Sequence, residues 1–244
     1  MCRDNSYYAT KEEHEERYDI PENSVEIDFK SSYHMLAGFA AQHIVTYDSV
    51  ARHNQSFSAH WGLVPKWTKN LTDGLKMSNS MVNARRETIF EKPSFKQLIA
   101  TSRCLIPSTG FYEHHHLTVK EKVPFYIKIA GTAIFSIAGL WTQWFDKSTN
   151  TELRSFTMIT TASNEPMSRI HNGGENSGRM PLMITPDMEA TWLNPHSSTE
   201  DITDILNYSI PGEALEYWPV ESIRKRGRVV DASYIHKIDR TIML

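Results

Sequence analysis

Cys2 is the residue of this sequence with the most distinctive chemistry. Methionine aminopeptidases remove Met1 when the second residue is small, so we expect Cys2 to become the first residue of the mature chain. An N-terminal cysteine carries an α-amine that titrates at about 7.7–8.0, beside a thiol near ~8.5 that is partly thiolate at neutral pH. Such an aminothiol condenses with an aldehyde, because the amine forms a Schiff base and the thiol then closes a five-membered thiazolidine ring.

Two further residues have side chains that could move protons. Glu113 follows Gly110-Phe111-Tyr112. A carboxylate held against aromatic residues at a strand end would have a raised pKa and could shuttle protons. His171 precedes a polar, glycine-rich loop at residues 172–178, where an imidazole could act as a general acid. The alternatives are an ordinary carboxylate at a strand end and a structural histidine.

The stretch from residue 61 to 103 contains residues suited to nucleic acid. It holds eight Lys and Arg against three Asp and Glu. Asn83 can donate and accept hydrogen bonds, and Arg85 can form two parallel bonds to a phosphate. Trp67 could stack on a base, whereas Trp61 is expected in the core. Arg179, beyond the glycine-rich loop, also suits an anion. The alternative is an asparagine turn followed by a solvated arginine pair.

Three other motifs receive simpler interpretations. His114-His115-His116 resembles a metal-binding run, but alternate residues of a strand face opposite ways and no further ligands complete a set, so we expect polar surface and no metal. Cys104 lies in an apolar run and is expected in the core. The run Arg224–Arg228 is a further basic segment beside the nucleic-acid candidates, and the alternative is a solvated hairpin tip.

Composition excludes several classes of protein. The chain has 244 residues, a net charge of −3 and two cysteines, so a disulfide framework and bulk electrostatic binding to nucleic acid are both disfavoured. No apolar stretch is long enough to span a membrane. The first 30 residues are acidic and show no signal peptide, so we expect a cytoplasmic protein. No glycine-rich phosphate loop is present, and no cofactor is expected.

The predicted elements mix strands and helices without a βαβ rhythm. Helices are expected over Lys11–Arg17 with a Thr10/Glu13 capping box, after a second box at Ser94/Gln97, from near Pro186, and over 199–207. Strands are expected over Arg103–Ile106, Phe125–Ile129, Ala133–Ala138, Ser155–Thr161 and Met180–Ile184, with a turn at Gly131. The sequence therefore predicts one α+β domain over 1–244, with a β-rich, sheet- or barrel-like core and peripheral helices.

Taken together, these segments resemble one family, the SRAP domain (SOS response-associated peptidase-like). The matching blocks occur in family order and cover nearly the whole chain. They are Cys2 after Met1, Trp61–Trp67 (WGLVPKW), Asn83–Thr88 (NARRET) with Lys92–Phe95, Arg103–Glu113 (RCLIPSTGFYE), Ala138–Trp141 (AGLW), Phe156–Asn164 (FTMITTASN), Ile170-His171 with Arg179–Pro181, and Tyr217–Val220 (YWPV).

The resemblance implies covalent capture of abasic sites in single-stranded DNA. Cys2 would capture the ring-opened aldehyde, Asn83 would position Cys2 and the sugar, Glu113 would deprotonate the α-amine, and His171 would act on the sugar oxygen. The implied DNA contacts are Arg85 and Arg179 on phosphates, Trp67 beside the lesion, and Arg3. The implied partner is single-stranded DNA with an abasic site, and we expect a monomer.

Two features depart from the family pattern, and two alternative functions stay open. The family often has Gly and then Arg after the cysteine, whereas Arg3 and Asp4 stand here, and residues 172–178 lengthen a loop that could gate the site or displace Arg179. Cys2, Glu113 and His171 also fit a cysteine peptidase or autoprotease. A non-covalent single-strand binder could instead use the patch from Trp61 to Arg86.

Overall fold

The computed structural model describes residues 2–22, 24, 28–146, 149–242 and 244. The strands are β1 (Asp4–Tyr7), β2 (Ser32–Leu36), β3 (Ala41–Asp48), β4 (His53–Trp61), β5 (Asn83–Arg85), β6 (Arg103–Ser108), β7 (Gly110–His116), β8 (Lys122–Ile129), β9 (Phe135–Asp146), β10 (Thr151–Ala162), β11 (Arg179–Pro181), β12 (Met183–Ile184) and β13 (Leu215–Pro219). The helices are α1 (Lys11–Arg17), α2 (Leu71–Ser78), α3 (Leu98–Thr101), α4 (Glu165–Ile170), α5 (Pro186–Leu193) and α6 (Thr199–Asn207).

Five strands of the larger sheet close into a barrel. Strand β10 pairs with β4 in parallel, and the antiparallel pairs β4–β3, β3–β6, β6–β9 and β9–β10 return to it. Strands β9 and β10 are each 12 residues long, so each can pair with more than one neighbour. Strands β5 and β11 extend the sheet from β10, and β12 extends it from β9. Closure removes the open edges that a sheet of this size would otherwise expose.

A second sheet holds the start of the chain against the barrel. Its order is β13-β8-β7-β1-β2, so the short strand β1 lies between β7 and β2. Asp4 pairs with Tyr112 and Asn5 with Phe111 in antiparallel register. All four side chains of β1 are buried although three of them are polar. They are satisfied by partners such as Gln42, whose Oε1 accepts from Asn5 Nδ2 at 3.0 Å.

Three of the four predicted helices form as expected. Helix α1 has the predicted Thr10/Glu13 capping box, α5 starts at Pro186, and α6 spans 199–207. The box predicted at Ser94 and Gln97 is wrong, because α3 begins only at Leu98 and Gln97 is its uncapped N-cap. The carbonyl of Lys92 already accepts from the N–H groups of residues 95 and 96, so Ser94 lies inside a turn rather than ahead of a helix. No described helix is long and apolar enough to cross a bilayer.

The predicted strands are confirmed in position and corrected in extent. The predictions in β6, β8 and β10 fall inside longer strands, and Gly131 forms a turn with φ +67°. Strand β9 begins at Phe135, two residues later than predicted, and runs to Asp146. The segment predicted as one strand over 180–184 is two, β11 and β12, because each pairs with a different barrel strand. The α+β class with a barrel-like core and peripheral helices is confirmed.

A buried histidine in α1 predicts an acid-sensitive fold. His14 is fully buried, with Nδ1 bonded to Tyr7 Oη at 2.6 Å and Nε2 to Ser56 Oγ at 2.9 Å. Burial, with a smaller effect of His43, lowers the pKa of His14 to about 3. The unfolded chain therefore binds a proton between pH ~6.5 and about 3 that the folded chain rejects, so stability falls as pH drops through that window.

We expect the unfolding free energy to fall by about 1.5 kcal/mol between pH 6.5 and 5 on account of His14. Urea unfolding at several pH values measures this slope. The slope should flatten in His14→Gln and persist in His236→Gln, since His236 is exposed. Equal slopes in wild type and His14→Gln would contradict the assignment.

Candidate functional site

Cys2 is buried at the junction of the two sheets. The antiparallel pairing of β1 with β7 carries residues 2 and 3 alongside Glu113. The Cys2 side chain is 1% exposed, and its Sγ donates to the carbonyl of Asp4 at 3.6 Å. Burial raises the pKa of the thiol well above its usual value, and the charge of Glu113 raises it further. The expectation of a partly ionised thiol is therefore wrong for this structure, and a base must take the thiol proton before sulfur can react.

Asn83 anchors the backbone of Cys2. Strand β5 runs parallel to β10, with Ala84 buried in the core and with Asn83 and Arg85 on the opposite face. Asn83 Nδ2 donates to the Cys2 carbonyl at 2.9 Å. Its Oδ1 is buried without a hydrogen-bond partner among the described residues. Since orphaned buried acceptors are rare, this oxygen is available to a donor on a bound molecule.

Glu113 is a buried carboxylate in the middle of β7. It is 5% exposed, follows the buried Phe111 and Tyr112, and pairs across the sheet with Phe125. Burial raises its pKa to about 7. Its Oε1 has no hydrogen-bond partner within the described part of the chain. A carboxylate with this pKa exchanges its proton at neutral pH, which suits a general acid–base catalyst.

His171 follows α4 and faces Glu113. Its backbone N–H bonds to Met167 at 2.8 Å, and Met167 and Ile170 bury the inner face of the helix. The imidazole Nε2 lies 3.9 Å from Glu113 Oε2, and Nδ1 lies 3.2 Å from the Arg179 carbonyl. Because a carbonyl only accepts, Nδ1 carries the proton and Nε2 presents a lone pair toward the carboxyl group.

The protonation states divide the roles of these two residues. Burial lowers the pKa of His171 to about 4, so its imidazole is neutral at pH 7. The expected general acid is therefore a poor proton donor in this structure, and Glu113 is the group that exchanges a proton near neutral pH. Two groups whose environments shift their pKa values in opposite directions are typical of a catalytic site.

The predicted removal of Met1 concerns a residue outside the described part of the chain.

Arg85 and Arg179 flank the end of β10 and already have protein partners. Arg85 Nη2 donates to Asn176 Oδ1 at 2.8 Å, across the 172–178 loop. Arg179 Nη1 donates to Glu87 Oε1 at 2.6 Å, and its Nη2 donates to the Thr160 carbonyl at 2.6 Å. Arg179 therefore lies in β11, paired with β10, in spite of the longer loop before it. A phosphate would have to compete with Asn176 for Arg85 and with Glu87 for Arg179.

The two tryptophans of the basic stretch differ in solvent exposure, as expected. Trp61 is fully buried, donates from Nε1 to the Val82 carbonyl at 3.0 Å and stacks on Phe156. It cannot stack on a nucleic-acid base. Trp67 is 61% exposed and offers an open aromatic face. Arg3 is also exposed and lines a cleft that contains Glu113 and His171.

The remaining motifs need one correction. Cys104 is fully buried, as predicted. The three histidines are not a uniform polar surface, because His115 is 6% exposed and its Nδ1 bonds to the Arg169 carbonyl, whereas His114 and His116 face the cleft beside Glu113. Helix α4 packs against β7, and its Arg169 carbonyl bonds to His115, so His115 is buried. Among the described residues, no group of three His, Cys, Asp or Glu side chains is arranged to hold a metal.

Sequence reasoning missed the acidic residues that organise this site. Asp4 is 3% exposed and accepts from His34 Nε2 and Arg224 Nη2, each at 2.7 Å. Glu87 binds Arg179 at 2.6 Å. None of these three pairs has a short-range signature, because the partners lie 30, 220 and 92 residues apart along the chain.

The fold and site define a class of protein: a closed β-barrel that presents a buried cysteine, an amide, a neutral-range carboxyl group and an imidazole at one sheet junction. The chain belongs to the family described as SOS response associated peptidase (SRAP), whose model matches residues 1–224. The resemblance inferred from sequence motifs is thereby confirmed.

Several known proteins are similar to this chain over most of its length. The abasic site processing protein YoqW of Bacillus subtilis is 33% identical over 223 residues, which are 91% of this chain and 93% of the relative. The abasic site processing protein HMCES of Xenopus tropicalis is 29% identical over 188 residues, which are 69% of this chain and 53% of that protein. A crystal structure of a Bacteroides thetaiotaomicron protein superposes with a TM-score of 0.83 at 31% identity, covering 97% of this chain and 100% of that one.

Proposed function

We propose that this protein processes abasic sites in DNA, and that it does so by capturing the ring-opened aldehyde in single-stranded DNA as a thiazolidine on Cys2. The observation that supports this most strongly is the convergence of Cys2, Asn83 and Glu113 at one sheet junction, with His171 3.9 Å from Glu113. The names of YoqW and HMCES support abasic-site processing. The chemistry of an N-terminal cysteine supports the covalent step.

The proposed reaction conserves atoms and electrons. With Met1 removed, the neutral α-amine of Cys2 adds to the aldehyde carbon, and the resulting carbinolamine loses one water to give a Schiff base. The thiol sulfur then forms a bond to the same carbon, and the thiol proton ends on the nitrogen. The product is a five-membered ring, and the only molecule released is water.

Each residue of the centre has a proposed task that follows from its environment. Glu113, with a pKa of about 7, takes a proton from the α-ammonium or the raised-pKa thiol and returns it during dehydration. Neutral His171 accepts a hydrogen bond at Nε2 from the sugar hydroxyl as the ring opens. Asn83 holds the Cys2 carbonyl, and its unpartnered Oδ1 accepts from the sugar.

Two alternatives make different demands on the same residues. A cysteine peptidase needs a thiolate activated by histidine, whereas burial raises the pKa of the Cys2 thiol and His171 binds the Arg179 carbonyl through Nδ1. Blocking the α-amine separates the two activities, because only thiazolidine formation requires it. A non-covalent binder would have to rely on Trp67 and Arg85, since Trp61 is buried.

The proposed function is tested with three single-stranded oligonucleotides of one sequence. One carries an abasic aldehyde, one a tetrahydrofuran analogue that has no aldehyde, and one is undamaged. We expect an adduct that survives denaturing electrophoresis with the first oligonucleotide alone. An adduct with the analogue, or none with the aldehyde once Met1 is shown to be absent, would contradict the proposal.

Arg85 is expected to contribute one phosphate contact. Arg85→Ala should weaken binding to the tetrahydrofuran oligonucleotide by about threefold to tenfold and reduce the slope of log K against log salt by about 0.7. The exposed Lys96 of the same basic stretch provides the control, because Lys96→Ala removes an equal charge away from the site. Fluorescence anisotropy between 50 and 200 mM salt, roughly, gives both quantities. An unchanged slope in Arg85→Ala would show that Arg85 faces away from the strand.

We also propose that residues 1–244 form one domain that acts as a monomer in the cytoplasm. Contacts beyond the family match at residue 224 support the domain limits. Trp218 Nε1 donates to the Ile235 carbonyl at 2.8 Å, and the backbone N–H of Ile238 donates to Pro219 at 3.0 Å. Sedimentation with and without the oligonucleotide tests the oligomeric state.

A further inference from the structure

A cleft beside the reactive centre brings together two motifs that the proposed reaction does not use. It has a volume of about 340 Å³ and is lined by Arg3, His114, His116, Lys122 and Arg224, together with Glu113 and His171. We call it the His114 cleft. The histidine run and the basic run at Arg224 are over 100 residues apart in the sequence, yet both reach this one cavity.

Three basic side chains, Arg3, Lys122 and Arg224, line the His114 cleft together with three acidic ones, Asp4, Glu113 and Glu175. Arg3 and Lys122 have no carboxylate partner within the described residues. Arg224 binds Asp4 at 2.7 Å, so this carboxylate is already shared by Arg224 and His34. Burial chiefly lowers the pKa of His114, against the effect of Asp4, and the charges of Arg224 and Lys122 lower it further. Burial and the charge of Lys122 also lower the pKa of His116. The imidazoles of His114 and His116 are therefore neutral N–H donors near pH 7.

The His114 cleft lies directly beside the reactive centre. Glu113 and His171 form part of its wall, so a molecule in the cleft is adjacent to whatever occupies the reactive centre. Arg85 and Arg179 lie on the other sheet, on the strands that flank β10, whereas His114, His116 and Lys122 lie on β7 and β8. The reactive centre lies where these two sheets meet, with a cationic group on each of them.

We propose that the His114 cleft binds one backbone phosphate of the DNA strand next to the captured nucleotide, while Arg85 and Arg179 bind the strand on the opposite side. This inference rests on the proposed function. A volume of 340 Å³ corresponds to roughly eleven water molecules, which leaves room for a phosphodiester group in a polar cavity. Arg3 and Lys122, which have no carboxylate partner in the described part of the chain, supply the charge, and the imidazole N–H groups supply directed hydrogen bonds.

The glycine-rich loop forms the roof of the cleft. Asn172 bonds to the backbone of His116 in both directions, at 2.8 and 3.1 Å. A Cβ on Gly173 would lie 2.4 Å from His116 Nδ1, so only glycine lets the loop approach this imidazole. Glu175, on the same loop, is exposed and places an opposing charge at the rim. Removing the charge of Glu175 should therefore strengthen phosphate binding, whereas removing the charge of Lys122 should weaken it.

The experiment uses the tetrahydrofuran oligonucleotide, which binds without cross-linking. Lys122→Ala should weaken binding about threefold to tenfold and reduce the salt slope by about 0.7, whereas Glu175→Gln should strengthen binding. Lys120→Ala is the matched control, because Lys120 is exposed two residues earlier and does not line the cleft. Equal affinities and salt slopes in the Lys120 and Lys122 variants would overturn the proposal.

A second binding experiment identifies which backbone phosphate the His114 cleft binds. Oligonucleotides that each carry one uncharged methylphosphonate linkage near the analogue are measured with wild type and Lys122→Ala. At one linkage, on one side of the analogue, the methylphosphonate should weaken DNA binding by the wild-type protein. The same linkage should hardly change DNA binding by Lys122→Ala, because both changes remove the same contact. Additive losses at every linkage would overturn the proposal. Cross-linking of the aldehyde oligonucleotide is recorded in parallel, so failure of the proposed function would be seen separately in wild type.

Discussion

Cys2→Ala is expected to abolish the covalent adduct while leaving binding to the tetrahydrofuran oligonucleotide within about twofold of wild type. The variant keeps an α-amine but has no sulfur to close the ring, so any Schiff base remains reversible. The thiol makes a single, long hydrogen bond to the Asp4 carbonyl at 3.6 Å, so its removal should perturb the fold little. Denaturing electrophoresis after an overnight incubation measures the yield.

The second cysteine provides the matched control for this variant. Cys104 is fully buried in the barrel core and has no proposed role in the reaction, so Cys104→Ala should give a wild-type yield of adduct. Cys2→Ser tests the intermediate, because it should form a Schiff base that borohydride can trap but that is lost without reduction. A normal yield of stable adduct from Cys2→Ala would exclude the thiazolidine mechanism.

Glu113→Gln is expected to slow capture by about 10²–10⁴-fold, the range associated with losing a general acid–base group. Burial raises the pKa of Glu113 to about 7, so the carboxyl group is protonated below that pH and ionised above it. If the ionised form is the base, the wild-type rate should rise about tenfold per pH unit below ~7 and level off above it. The variant should lose this rise.

Single-turnover rates between about pH 5.5 and 8.5 test both parts of this prediction. The exposed Glu91 offers a control, since Glu91→Gln removes a carboxylate outside the site. Affinity for the tetrahydrofuran oligonucleotide should be retained in both variants. If Glu113→Gln keeps the wild-type rate and the wild-type pH profile, Glu113 is not the base.

Several elements can be predicted because the hydrogen bonds or side-chain patterns that define them lie within a few residues. Thr10 and Glu13 form a capping box whose two hydrogen bonds lie within one helical turn, so α1 can be predicted from four residues. The alternation of Ser155–Thr161 predicts a half-buried strand whichever strand it pairs with. The strand is confirmed, but half-burial is wrong, because all seven residues of this run are buried. The capping box predicted at Ser94 does not form, because a turn that begins at the Lys92 carbonyl already contains Ser94 and α3 starts only at Leu98.

Long-range pairing could not be predicted from the residues alone. The barrel closes through a parallel contact of Ser155 and Phe156 with His60 and Trp61, which no local pattern specifies. The motifs identified Cys2, Glu113 and His171 as candidates, but their charge states depend on burial created by distant strands. The thiol was expected to be partly ionised, yet burial raises its pKa. Glu87 lies in the block Asn83–Thr88 and Asn176 in the 172–178 loop, but no local pattern pairs them with Arg179 and Arg85.

The most direct test of the account is the intact mass of the adduct between the protein lacking Met1 and the abasic oligonucleotide, measured with an alkylation count under denaturing conditions. We predict the summed mass of protein and DNA minus one water, with one of the two cysteines no longer alkylated. Thiazolidine formation consumes the Cys2 thiol, whereas a Schiff base leaves it free. An adduct in which both cysteines are alkylated, or no adduct at all, would contradict capture by the Cys2 aminothiol.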